Sequence, residues 1–266
     1  MAEEELQMSF WGHLEELRKR ITWSVVWIAV GFGACFNFSE DILRLLMWPM
    51  NVKLLFQVNF PFIVSVPNEI QQKLHYTTLI EPFWTHLKIA LIAGIFLVFP
   101  LVMHQIWKFI APGLLPKERR YAGLFVFFST LFFAIGVLFC FGLLLPFAIP
   151  FLLSYKTENL IAIIKIGDYI DFVLKFLLAS GIVFELPLVI VLLSRIGIVS
   201  PDWLAKYRKY AFLGSFILGA MLTPTPDIFN QTLISIPIYF LYEIGIIFAR
   251  LFGKKKKPTS TALTET

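Results

Sequence analysis

Long apolar runs, separated by short polar stretches, dominate the sequence. Runs of about 20 apolar residues have the length of a helix that crosses a hydrocarbon core of about 30 Å. The runs lack polar faces, so they do not fit a soluble helical bundle. The pattern predicts an all-α polytopic membrane protein with six transmembrane helices, at residues 22–38, 81–107, 121–147, 167–193, 210–222 and 228–249.

The last two predicted helices are short. Residues 210–222 would extend only about 20 Å, well below the bilayer core of about 30 Å. Pro237 interrupts residues 228–249 and leaves a short apolar part there as well. Such a pair must thin the bilayer locally or be shielded by neighbouring helices.

Residues 8–21 have a different, amphipathic pattern. Apolar residues recur there at helical spacing while charged residues cover the opposite face. This predicts an interfacial helix that lies along the membrane surface. We interpret residues 39–80 and 150–166 as external loops. Residues 1–252 then form a single six-helix membrane domain, followed by a flexible basic and polar cytoplasmic tail at residues 253–266.

The distribution of charge predicts the topology. Only 15% of residues are charged, against about 25% in soluble domains. Of the 23 Lys and Arg, five lie in the predicted external loops and two lie within helices; the other 16 lie in residues 18–20, 108–120, 195–209 and 250–257. The positive-inside rule therefore places both termini in the cytoplasm. These loops also explain the net charge of +5, so we expect contact with the lipid bilayer and not with nucleic acid.

Glu185 is an acid within the fourth predicted helix, about 12 Å from its cytoplasmic end. A charge near the bilayer centre costs at least about 2.5–3.5 kcal/mol on insertion scales, so Glu185 should be protonated, paired or facing a water-filled concavity. Pro187 predicts a kink beside it. Two interpretations stay open: a functional intramembrane acid, and a structural hydrogen bond to a neighbouring helix.

Two more acids, Glu16 and Glu118, lie among cations on the predicted cytoplasmic side. A carboxylate pairs bidentately with a guanidinium, so these acids suit a cationic peptide ligand. The alternative is neutralisation by neighbouring cations within the chain, since Glu16 and Arg20 are spaced i,i+4. The charge pattern supports both interpretations.

A polar cluster follows the fifth predicted helix at residues 223–231. Its side chains suit a hydrogen bond to another membrane helix, or the solvation of a helix end.

The sequence contains no nucleophile–base pair, metal-ligand spacing or nucleotide motif. We therefore expect no catalytic residues, no metal and no cofactor. An ion-coupled carrier that uses Glu185 as a relay is a competing function, although no inverted repeat supports it. A structural scaffold is a second competing function, and it would need none of the acids Glu16, Glu118 and Glu185.

Several motifs occur in one order along residues 10–252. They are His13-Leu-Glu-Glu-Leu-Arg-Lys-Arg20, Trp107–Arg120, Phe184-Glu-Leu-Pro187, Arg208-Lys-Tyr210, Pro226-Asp-Ile-Phe-Asn-Gln231 and Leu241-Tyr-Glu243. In these motifs the chain resembles the TatC family, the multispanning signal-peptide receptor subunits of the twin-arginine protein translocase. The resemblance implies a glove-like concave bundle in the bacterial cytoplasmic (inner) membrane. It also implies export of folded proteins that is driven by the proton motive force.

The resemblance assigns roles to individual residues. It implies a site for twin-arginine signal peptides formed by Glu16, Glu118, Phe109, Pro112 and Arg18, and it places Glu185 within the concavity. It implies contacts with single-span partner subunits of the TatA/TatB type at Met221, Leu222, Thr223 and Gln231. A homo-oligomer within a receptor complex is a further expectation.

Overall fold

The protein is predominantly helical, and a computed structural model describes residues 10–56, 63–67, 74–111, 122–154, 163–222 and 228–252. The α-helices in these ranges are α1 (Phe10–Phe36), α2 (Ser39–Leu46), α3 (Trp48–Asn51), α4 (Glu81–Ile110), α5 (Ala122–Phe139), α6 (Leu145–Ser154), α7 (Ile166–Phe184), α8 (Leu186–Ile196), α9 (Pro201–Lys206), α10 (Arg208–Leu222) and α11 (Ile228–Phe252). A π-helical turn, Cys140–Leu144, joins α5 to α6. Strands β1 (Val52–Phe56) and β2 (Ile63–Pro67) form an antiparallel hairpin.

Several described segments are long and apolar enough to cross a membrane. Four qualify by themselves, namely Glu81–Ile110, Gly123–Leu153, Ile166–Ile196 and Gln231–Leu251. The helices Trp11–Phe36 and Ser39–Asn51 qualify as a fifth segment if they are counted together as one span, and the angle of the bend between them is 82°. At most 39% of the apolar window in each of the four segments is buried inside the protein, so most of it faces outward, as contact with lipid requires. The predicted helical membrane class is therefore confirmed, with a small hairpin that the sequence pattern did not predict.

Two predictions about helices were wrong. Residues 8–21 are not a separate interfacial helix, because α1 runs without a break from Phe10 to Phe36; no Gly or Pro between residues 13 and 30 stops it. The sixth helix is not short, because α11 has 25 residues and continues through Pro237. A membrane helix tolerates an internal proline where its surroundings satisfy the freed backbone group. The short fifth helix is confirmed: α10 has 15 residues.

The most extensive helix contact joins α1 to α4. A Cβ on Gly31 would lie 2.7 Å from the carbonyl oxygen of Gly94, and a Cβ on Gly94 would lie 2.6 Å from the backbone nitrogen of Phe32. Membrane helices pack through small residues in this way because lipid gives no hydrophobic drive for association. The two helices run antiparallel. Arg20 precedes Gly31 by eleven residues and Gln105 follows Gly94 by eleven, so both lie about 16 Å from the glycine contact.

A second close contact joins α5 to α7. A Cβ on Gly136 would lie 2.8 Å from the Cβ of Phe184, so the two helices approach each other closely there. The hydroxyl of Ser180 donates a hydrogen bond to the carbonyl oxygen of Gly136 at 2.8 Å. Nearby, Phe133 of α5 stacks on Phe99 of α4 with ring centroids 3.7 Å apart. These contacts join α4, α5 and α7 into one core.

The bundle has two ends, which we name the Phe109 end, where α1 begins and α4 ends, and the Glu81 end. The Glu81 end contains the described parts of the segments that we interpret as external loops, and these parts include α2, α3, the hairpin and the end of α6. Glu81 Oε1 accepts a hydrogen bond from the Gly167 backbone nitrogen at 3.1 Å. The backbone of His75 pairs with Ile164 and Ile166 at 2.9 and 2.8 Å. These bonds fix the start of α4 beside the start of α7.

Substitution of Gly31 by Ala should weaken the α1–α4 contact. The added methyl group has to displace the α4 backbone, which we expect to cost about 1–3 kcal/mol of unfolding free energy, as overpacking does elsewhere. Thermal unfolding in detergent measures the loss. Gly33→Ala is the matched control on the same helix, because a Cβ there meets nothing within 4 Å. Equal stability of the two variants would contradict the assigned contact.

Candidate functional site

The first candidate site lies at the Phe109 end. The His13 ring of α1 stacks on the Phe109 ring of α4, with centroids 4.5 Å apart and 22° between the ring planes. His13 is exposed and Phe109 is half-buried. Behind them, Trp107 is buried against Phe125 of α5, with ring centroids 4.4 Å apart. The two helix ends therefore present an aromatic surface supported by a third helix.

An ion pair lies one to two turns deeper along α1, between Glu16 and Arg20. Arg20 Nε donates to Glu16 Oε1 at 2.7 Å, and Arg20 Nη1 donates to Gln105 Oε1 of α4 at 3.2 Å. The Glu16 and Arg20 side chains are only 21% and 20% exposed, and Gln105 is buried. Because water is largely excluded, these charge-assisted bonds are stronger than those of a surface pair.

We call His13, Glu16, Arg20, Gln105 and Phe109 the α1–α4 patch. It combines a carboxylate, an amide and an accessible aromatic surface. A planar guanidinium uses all three kinds of group, through bidentate pairing with the carboxylate, single hydrogen bonds to amide oxygens and stacking on rings. The patch therefore contains the kinds of group that can bind a guanidinium.

Some of the site residues predicted from the sequence lie in this patch, and others do not or lie outside the described residues. Glu16 and Phe109 both belong to the α1–α4 patch. Arg18 is exposed on α1, and its carbonyl oxygen accepts a hydrogen bond from the Thr22 hydroxyl at 2.9 Å. Glu118 and Pro112 lie outside the described residues. Of the two interpretations of Glu16, internal neutralisation is the one whose contact is present, through Arg20.

Three residues of the patch were not predicted as site residues. His13 and Gln105 were not singled out, and Arg20 was considered only as a neutralising cation. A polar residue within the largely apolar α4 is a signal that could have identified Gln105. The meeting of Arg20 with Gln105 depends on the register between α1 and α4, which the spacing of residues within one helix does not give.

The second candidate site is Glu185, which is 8% exposed and lies at the break between α7 and α8. The hydroxyl of Ser129, from α5, donates a hydrogen bond to Glu185 Oε1 at 3.0 Å. The predicted kink is confirmed by the helix break two residues before Pro187. Lys88 does not neutralise this acid, since it pairs with Asp171 at 2.6 Å. The structure thus contains the hydrogen bond of the structural interpretation.

The third set of predicted residues lies where α10 meets α11. Met221 is 76% exposed and Leu222 is half-buried. Gln231 is used within the chain, because its Nε2 donates to the carbonyl oxygen of Phe216 at 3.0 Å. Thr223 lies outside the described residues. Exposed apolar side chains cover much of α10, so this short helix offers a large surface to lipid or to another membrane helix.

Comparisons with known proteins agree with one another. The family described as "Sec-independent protein translocase protein (TatC)" matches residues 12–237. A TatC protein of Koribacter versatilis is 39% identical over 250 residues, covering 94% of this chain and 88% of the relative. The Escherichia coli K12 TatC protein is 36% identical over 243 residues, covering 91% of this chain and 88% of the relative.

A crystal structure of the twin arginine translocase receptor TatC in DDM superimposes with a TM-score of 0.74 at 33% identity, covering 91% of this chain and all of that one. Another has a TM-score of 0.69 at 32% identity, covering 90% and 98%. This membrane-spanning chain therefore belongs to the TatC family of Sec-independent protein translocase proteins.

Proposed function

We propose that the α1–α4 patch is the receptor site for Arg-Arg signal peptides of folded proteins. The observation that carries this proposal is that Glu16 already holds a guanidinium, that of Arg20, in a largely buried site. Gln105 and the ring pair of His13 and Phe109 frame that site. The related solved structures are described as twin-arginine translocase receptors, which agrees with an arginine ligand.

The second arginine of the signal peptide needs a second carboxylate. We assign it to Glu118, with Pro112 shaping the chain beside it and Arg18 at the edge of the site. Phe109 precedes Glu118 by only nine residues, so the segment that carries Glu118 starts at the patch. A bidentate carboxylate–guanidinium pair at each acid gives selectivity for Arg over Lys, which carries a point charge.

The proposed topology places the Phe109 end in the cytoplasm. The four basic segments hold 16 of the 23 Lys and Arg residues, and the positive-inside rule assigns them to the cytoplasmic side. Six helices would then cross the bacterial inner membrane, with both termini inside and α10 as the short fifth crossing. Residues 1–252 form the membrane domain, and residues 253–266 form a basic tail near anionic lipid.

We place the partner subunits at α10 and the start of α11. The exposed side chains of α10 include Met221 at its end, and Leu222, Thr223 and Gln231 complete the proposed contact. A single-span helix of the TatA/TatB type would bury this apolar surface, and copies of the chain would assemble with it into a receptor complex. Export would be driven by the proton motive force.

Glu16→Lys and Glu118→Lys should each abolish binding of an Arg-Arg signal peptide to the purified protein in detergent. Each change replaces an acceptor by a cation that repels the ligand, so we expect a loss of at least about a hundredfold in affinity. Glu15→Lys is the matched control, because Glu15 is exposed on the same turn of α1. Peptide binding that survives both of the first two changes would place the receptor site elsewhere.

A photo-crosslinking residue at position 221 should capture a single-span partner subunit in membranes. The same residue at position 30 is the control, because Val30 is also exposed, at 57%, but lies on α1. Crosslinks from position 30 alone, or from neither position with the partners present, would contradict the proposed contact surface.

The Glu185→Gln variant distinguishes a signal-peptide receptor from an ion-coupled carrier. The amide retains an acceptor for Ser129, so the fold and the affinity for the signal peptide should stay within about twofold of those of the wild type. An ion-coupled carrier would instead lose ion-driven solute uptake in proteoliposomes. Solute uptake by the wild type that disappears in this variant would support the carrier and contradict a receptor.

A further inference from the structure

Arg20 is held more firmly than a surface cation on an amphipathic helix. Its Nε and Nη2 both contact Glu16 Oε1, while Nη1 reaches Gln105 on another helix. A neighbouring cation, Lys19, is exposed and makes no hydrogen bond or ion pair within the described part of the chain. The chain thus places one guanidinium, and not simply positive charge, against the acid of the α1–α4 patch.

This contact conflicts with the binding of a second guanidinium. A bidentate pair needs both oxygens of the carboxylate, and Arg20 already occupies Oε1. The two guanidinium groups would also repel each other at a site from which water is largely excluded. An incoming arginine can therefore take up the full two-bond geometry only after Arg20 has moved.

We propose that Arg20 is a built-in occupant of the receptor site, which a signal-peptide arginine displaces from Glu16. This inference rests on the proposed function and adds a regulation to it. Gln105 can hold the displaced Arg20 side chain, because Gln105 Oε1 can keep its hydrogen bond to Arg20 after Arg20 has released Glu16. In the free protein the Glu16 carboxylate is then paired, which removes the penalty of an unpaired carboxylate in a largely buried site.

Competition between Arg20 and the peptide arginine for Glu16 should lower the affinity of the protein for the signal peptide. A protein whose binding-competent form is only a fraction of the total binds more weakly by that fraction. Release of Arg20 should therefore raise affinity, which is the opposite of what loss of a supporting contact would do. The effect also falls equally on every ligand that has to take both oxygens, so it tunes affinity and leaves the preference among such ligands unchanged.

The test uses titration of an Arg-Arg signal peptide onto the purified full chain in detergent. Arg20→Lys keeps the charge but cannot bond Glu16 and Gln105 together as a fork, so we expect affinity to rise by roughly threefold to tenfold. Arg20→Gln should raise it further. Lys19→Gln is the matched control for lost charge and should change affinity by less than about twofold, since the removed charge is exposed and screened. Melting temperatures verify that the variants are folded.

The outcomes separate this inference from the proposed function. If the wild type binds the peptide through Glu16 but both Arg20 variants bind equally well or more weakly while folded, Arg20 positions the acid and does not block it, and the inference fails alone. If Glu16→Gln binds the peptide as the wild type does, the receptor site itself is wrong and the inference fails with it. Higher affinity in Arg20→Gln that Lys19→Gln reproduces would show only a charge effect and would also overturn displacement.

Discussion

The contact between Gly31 and Gly94 is the constraint on which the proposed site depends. Two helices can approach at backbone distance only where both lack a side chain, and this point fixes their register. Because Arg20 and Gln105 are each eleven residues from it, in opposite chain directions, the register brings them to the same height. The polar contacts between α1 and α4 at the Phe109 end therefore follow from a packing contact near the middle of the helices.

The α1–α4 patch has an unusual distribution of charge, because the acid that we propose as the acceptor for a cationic ligand lies among cations. The i,i+4 spacing alone would give a weak surface pair. Burial of the pair and the bond to Gln105 make it a stronger, directional contact. Such a site favours a guanidinium over other cations, since only a guanidinium can reproduce the existing bonds. In the account proposed above, the resident pair reflects the chemistry of the ligand and lowers the ligand's affinity by competing for Glu16.

Much of the fold could be predicted from the sequence, because the length and polarity of a run decide whether it crosses a bilayer. The helices at Glu81–Ile110 and Arg208–Leu222, and the break near Pro187, follow from such local signals. The continuity of α1 was missed because amphipathic and apolar parts of one helix look like two elements. The contact of Arg20 with Gln105 was missed because it depends on tertiary register. Glu118, Pro112 and Thr223, which the family resemblance supplied, lie outside the described residues.

The central claim is that the α1–α4 patch meets the paired arginines of a signal peptide. The most direct measurement is photo-crosslinking from position 109, in the patch but not an acid, to two precursors that differ only in Arg-Arg or Lys-Lys. Strong crosslinking to the Arg-Arg precursor and its loss with Lys-Lys is the expected result. Equal crosslinking to both precursors, or none to the Arg-Arg precursor while the protein still binds it, would contradict recognition of arginine at this patch.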